Sequence, residues 1–326
     1  MTLLFTSTHL APFIAEDLAC LRRHFEVDHL LTRGILAPFR TAFRVRRADA
    51  TFTWFASVYA APVVFLASLF GKRSVLVIGG ADVARLDGIG YGLWCSPWKS
   101  PLAGYALRRA WRVAAVDESL KREARTRADY GGENIVVIPT GYDPAVWRPG
   151  DNPKEQLVLT VAGCDSVSRV RVKGIPQLLE AARLLPDVRF QVVGLTEALT
   201  RKAGLVPPAN VEVLPPVRRD QLPGLYQRAR VYCQPSLFEG LPNSLCEAML
   251  CACVPVATSV GGSPNVVGNN GVVVPAGDPR ILAAGINEAL NAPEETGLLA
   301  RQRIIEMFPA NRREEALVQL LEDAAR

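Results

Sequence analysis

Residues 234–249 read QPSLFEGLPNSLCEAM. The run that leads into them, Val231-Tyr232-Cys233-Gln234, is short, apolar and β-rich, as a buried strand is. Pro235-Ser236 ends the strand, and Gly240 and Pro242 shape a turn. Pro242 is expected as the first helical residue, where a missing N–H costs nothing. Good helix formers follow from Asn243 to Leu250, so the helix should begin near Pro242–Ser244. Its unpaired amides and positive dipole end offer a place for a phosphate. Glu239 sits in the turn and Glu247 on the helix, with seven residues between them. A carboxylate accepts two hydrogen bonds and can grip a pair of sugar hydroxyls. Two carboxylates flanking an anion-binding helix end suit a ligand that is sugar at both ends and phosphate in the middle.

A nucleotide-sugar has that layout. A bare E-x7-E would fit any strand–turn–helix with two surface glutamates. Filled with P-S, E-G-L-P-N and E-A-M in register, it resembles the signature of glycosyltransferase family 4, the retaining nucleotide-sugar enzymes. The resemblance implies an α/β chain of the GT-B fold: two facing Rossmann-like domains with a cleft between them, and a C-terminal helix crossing back to the first. On that template residues 1–148 form the acceptor domain, 149–304 the nucleotide-sugar domain and 305–326 the returning helix. Trp147–Pro153 (WRPGDNP) reads as the linker.

The function implied is transfer of a sugar, with retention, from a nucleotide-sugar donor to a hydroxyl of a glycan or lipid-linked acceptor. The alternative is a GT-B shell that only binds nucleotide-sugar or partners an active transferase. By the family's pattern, Glu247 holds the ribose diol and Glu239 the donor-sugar hydroxyls. Donor contacts also fall on Gly240, Leu241, Pro242, Asn243, Ser244 and Leu245. Lys173-Gly174 matches the lysine that neutralises the diphosphate. The family's arginine, which follows the glycine here numbered Gly163, is replaced by Cys164, which leaves Arg169 or Arg171 to supply that charge. No Asp-x-Asp pair occurs, so no metal and no cofactor is expected; the nucleotide-sugar is a substrate.

A chain of 326 residues, 49% apolar and 21% charged, is an ordinary globular composition with room for two domains. Its seven cysteines show no C-x-x-C pair and lie mostly in apolar runs, so they read as reduced core residues of a cytoplasmic protein. Three histidines, all before residue 30, lack metal-ligand spacing. The charge is uneven: residues 1–150 carry +6 and the rest −1. This points either to an anionic partner of the first domain, such as a membrane surface or lipid-linked phosphate, or to a solvated basic face. No motif or basic–aromatic stripe supports nucleic acid.

In the first domain Thr8-His9-Leu10-Ala11-Pro12 replaces the Gly-Gly loop usual in the family. The uncharged stretch Thr51–Gly71 approaches membrane-spanning length, but polar residues and Pro62 divide it better into a strand, Ala50–Phe55, and a buried helix, Ser57–Phe70. No cleavable signal is evident in Met1–Leu10. The chain is therefore expected in the cytoplasm, at most peripheral on the membrane's cytoplasmic face. A strand ending in Gly79-Gly80-Ala81-Asp82 places Asp82 as the leading titratable group toward an acceptor hydroxyl or the transferred sugar, with helix capping as the structural reading. The densest basic stretch is Leu102–Arg127, with Arg108, Arg109, Lys121 and Arg122.

Overall fold

Among the described residues twelve short aliphatic and β-branched runs become strands, and most are followed by amphipathic or apolar helical sequence, which is the pattern of a parallel sheet. The computed structural model describes residues 1–32 and 37–326. The chain divides into two units, Met1–Gly141 with Ala310–Arg326, and Tyr142–Pro309.

The first unit holds β1 (Thr2–Ser7), β2 (Glu26–Leu31), β3 (Ala50–Trp54), β4 (Arg73–Ile78), β5 (Arg112–Ala115) and β6 (Ile135–Val137) in the order β2-β1-β3-β4-β5-β6. The second holds β7 (Glu155–Val161), β8 (Arg189–Val193), β9 (Val211–Leu214), β10 (Ala229–Gln234), β11 (Val254–Thr258) and β12 (Val272–Val274) in the order β12-β11-β10-β7-β8-β9. All pairings between these strands are parallel. The order reverses direction between β1 and β3 in one sheet and between β7 and β10 in the other. Open α/β sheets bind ligands at such points, beyond the carboxyl ends of the strands.

Four expectations need correction. The stretch 147–153 lies inside the second unit. Trp147 is 2% exposed and meets Tyr226 edge-on at 5.8 Å, so burial of the indole outweighs the Pro/Gly content around it. The helix expected at Ser57–Phe70 spans Ala60–Leu69 and buries Ala60, Ala61, Val63, Val64 and Ala67. Phe65 and Leu69, on its other side, are 52% and 63% exposed, so it is not wholly core. Among the described residues no helix is long and apolar enough to cross a membrane.

A further helix, Val167–Val172, was not anticipated ahead of Lys173-Gly174. Its β-branched residues disguised it, and Ser166 caps it by accepting the Arg169 amide at 3.3 Å. Finally, the returning helix expected over 305–326 falls on two helices, Glu294–Met307 and Ala310–Ala325, separated at Phe308-Pro309, as the restriction on the residue before proline dictates. The last helix belongs to the first unit. Buried Arg313 grips Asp17 through two bonds of 2.7 Å and donates to the carbonyls of Ile138 and Pro139 at 2.9 and 2.8 Å.

Candidate active site

At the switch point of the second sheet, β10 delivers Gln234 into the loop that carries Glu239. Glu239 Oε1 accepts from Lys173 Nζ at 2.6 Å and from Gln234 Nε2 and Ser236 Oγ at 2.7 Å each. Three donors on one oxygen fix the carboxylate in place. Two glycines make the arrangement fit. Gly174 has φ +67°, and a Cβ there would come within 1.8 Å of Pro235 O. Gly261, at φ +55°, would press a Cβ to 2.0 Å from Glu239 O, and the next amide, Gly262, donates to Gly240 O at 2.8 Å. Lys173 can stand beside Glu239 only because the residue after it has no side chain.

The helix begins one residue later than expected: Asn243–Leu250, with Pro242 as an extended N-cap and no side chain capping it. An Asn243 at the first position rather than the second keeps its side chain at the turn, where Tyr142 Oη donates to its Oδ1 at 2.6 Å. The helix end lies on the loop that presents Glu239, so Lys173 and the helix dipole bring positive potential to one place. Of the residues expected at the donor, Leu241 and Leu245 are 6% and 0% exposed, so their side chains serve the core.

Glu247 is 4% exposed. Tyr226 Oη donates to its Oε2 at 3.1 Å, and Arg219 lies 3.3 Å from Oε1 with its guanidinium over the Trp147 ring at 5.3 Å. Burial first, and the Glu247 charge second, push the Tyr226 phenol well above its ordinary pKa, so it stays a donor. Neither Tyr226 nor Arg219 was expected here; they lie 21 and 28 positions upstream, with nothing in the local pattern to link them to Glu247.

The arginine candidates divide differently. Arg169 pairs with Asp165 at 3.8 Å, and Arg171 is exposed; both sit on the helix Val167–Val172. Cys164 is buried, with its thiol pushed up to about 11, and acts as a small core residue. A Cβ on Gly163 would meet nothing within 4 Å, so that position is open to a ligand.

In the first unit Asp82 is 3% exposed. Its carboxylate accepts the amides of Ala56, Gly79 and Gly80 at 3.1, 3.2 and 2.8 Å. Burial raises its pKa while these amides oppose the rise. Asp82 therefore ties the loop after β3 to the loop after β4 instead of capping a helix. Trp94 Nε1 reaches back to Asp82 O at 2.9 Å. Among the described residues no group of three His, Cys, Asp or Glu side chains could hold a metal ion.

A family model described as "Glycosyl transferases group 1" matches residues 157–292, the span that holds Lys173, Glu239 and Glu247. The alpha-maltose-1-phosphate synthase of Mycolicibacterium smegmatis is 30% identical over 275 residues, covering 74% of this chain and 70% of that protein. The chain belongs to the group 1 glycosyl transferases. The glycosyltransferase is also 32% identical to a D-inositol 3-phosphate glycosyltransferase of Mycolicibacterium gilvum over 181 residues, 50% of this chain and 40% of that one. Its fold is GT-B. The Anabaena protein HepE, solved in complex with UDP and glucose, superposes with a TM-score of 0.78 at 17% identity, covering 99% of each chain.

Proposed function

We propose that this glycosyltransferase takes its sugar from a nucleoside-diphosphate sugar and transfers it, with retention, to a hydroxyl of a phosphorylated sugar, a cyclitol or a glycan. The observation that carries the reading is Lys173 Nζ at 2.6 Å from Glu239, beside the start of the helix Asn243–Leu250. A diphosphate bound there meets a cation and a helix dipole, while the carboxylate behind them faces sugar hydroxyls. As the bond from the anomeric carbon to the diphosphate breaks, its electron pair stays on the phosphate oxygen. Fixed positive charge at that oxygen lowers the barrier. The acceptor oxygen forms the new bond, and its proton passes to the released diphosphate. Glu247 is the proposed ribose-diol partner, held in orientation by Tyr226 and Arg219, and Asp82 shapes the acceptor-side loops. The names of the relatives support a phosphorylated acceptor.

Lys173 and the helix amides leave no task for a divalent ion. Incubation with UDP-, ADP- and GDP-sugars, with glucose 1-phosphate or inositol 3-phosphate as acceptor, should release nucleoside diphosphate in excess chelator and give a product with the donor's anomeric configuration. Activity abolished by chelator and restored by magnesium would contradict the metal-free reading, and an inverted product the retaining one.

A second reading concerns where the acceptor is met. The helices Ala37–Arg47, Ala60–Leu69 and Ser100–Arg109 contain no acidic residue. They expose Phe43, Phe65, Leu69 and Leu102 at 60, 52, 63 and 39%, alongside exposed Arg40, Arg46, Arg47 and Arg109. Apolar side chains among arginines suit the interface of an anionic bilayer. This moves the expected basic face from Leu102–Arg127 toward the earlier helices. It also gives the uncharged helix a surface role, where a purely buried one was expected.

A further inference from the structure

The switch point of the first sheet, between β1 and β3, carries an aromatic stack that the donor chemistry does not use. Phe55 follows β3 directly and holds φ at +71°. A bulky residue adopts this left-handed conformation only when its surroundings force it, and such strain gathers at functional sites. The surroundings are specific. Phe55 N donates to Val77 O at 2.8 Å, and the next amide, Ala56, is held by Asp82 at 3.1 Å. The Phe55 ring fills the space a side chain would need at Gly79, where a Cβ would lie 2.8 Å from it. Phe13 meets the ring edge-on at 6.2 Å and Trp54 at 5.4 Å.

His9, in the loop after β1, lies nearly parallel to Phe55, with centroids 5.5 Å apart and an 11° interplanar angle. Thr8 Oγ1, 3.1 Å from His9 Nδ1, fixes the plane of the imidazole. His9 is exposed and Phe55 partly so. The stack thus presents a flat aromatic surface where an open α/β sheet receives its ligand. Core packing alone would not require an exposed imidazole laid on a strained phenylalanine.

We propose that His9 and Phe55 form the ring subsite for the acceptor. The C–H face of a pyranose or cyclitol ring lies on the stack, and its hydroxyls remain at the rim. The proposal rests on the reading that the first unit holds the acceptor. Asp82 is a positioning residue here, because it clamps the backbone that strains Phe55 without touching the ring.

Saturation-transfer NMR on the full chain tests this with methyl α-D-glucopyranoside and myo-inositol as probes and uridine diphosphate as the control. The wild type should transfer saturation to ring C–H protons of at least one probe. Phe55→Gly should lose that signal at least fivefold in protein that circular dichroism shows to be folded, because glycine adopts φ +71° freely and so offsets part of the packing lost with the ring. His9→Phe, which keeps the stack, should retain the signal, and His9→Ala should weaken it. Equal ring signals in the wild type and Phe55→Gly, or none in the wild type, would overturn the proposal. The nucleotide signal reports on the donor site separately, so failure there strikes the donor reading and not this one.

Discussion

Lys173 Nζ lies 2.6 Å from Glu239 Oε1, with the two side chains 19% and 10% exposed. At that depth each charge is stabilised chiefly by the other, so removing one strands its partner. Lys173→Ala and Glu239→Ala should each cost about 3 kcal/mol of stability. The double variant should cost less than the sum by about 1–3 kcal/mol, as for directly coupled residues. Urea denaturation of the four proteins measures the coupling, and strictly additive losses would mean that the contact carries no energy.

Glu247→Ala should weaken nucleoside-diphosphate binding by about 1.5–3 kcal/mol, the range for hydrogen bonds to a charged group. Tyr226→Phe should weaken it less, because it frees the carboxylate to turn without removing it. Calorimetry on the folded variants decides the matter. Unchanged affinity in Glu247→Ala would leave the glutamate as a structural partner of Tyr226 and Arg219.

How much of this could be read beforehand follows from what each residue needs from its neighbours in sequence. The strand–turn–helix around Glu239 was legible because every part of it is local: Pro235 ends the strand, Gly240 turns, and helix formers follow. Lys173 was legible through Gly174, whose φ of +67° and closeness to Pro235 O explain why glycine stands there. The partners of Glu247 were hidden because Tyr226 and Arg219 reach it through tertiary packing. Phe55 left no signal either, since positive φ is announced by glycine or asparagine and never by phenylalanine. The helix Val167–Val172 was missed because its valines read as strand or loop.

The last helix should report on pH as well as on packing. Arg313→Ala leaves buried Asp17 without its guanidinium and should cost about 3–5 kcal/mol. On the same helix Glu314 accepts from Arg23 and His24 at 2.7 Å each, and these bonds hold its carboxyl below the ordinary glutamate range. The unfolded chain then binds the proton more readily, so this contribution is present above the ordinary range and is lost below it, as pH falls through the lowered folded value. Glu314→Gln should flatten that acid dependence by under about 1 kcal/mol, the pair being solvent-screened. Thermal midpoints between pH 7 and 3 give the comparison, and identical slopes for the two proteins would refute the linkage.

Binding to vesicles of phosphatidylglycerol should be measurable by sedimentation and should fade with salt. Phe65→Ser with Leu69→Ser should reduce it through lost insertion, and Arg46→Glu with Arg47→Glu through lost attraction, at about 1 kcal/mol per basic residue. Equal binding to phosphatidylcholine vesicles, or none to either, would remove the membrane reading and leave the transferase with an acceptor in solution.

The most direct measurement is a calorimetric titration of uridine, adenosine and guanosine diphosphates into the wild type and Lys173→Ala, in chelator. At least one diphosphate should bind the wild type, and Lys173→Ala should bind it at least tenfold more weakly while the parent nucleoside binds both proteins alike. No diphosphate binding, or equal affinity in the two proteins, would contradict the donor site at Lys173 and Glu239.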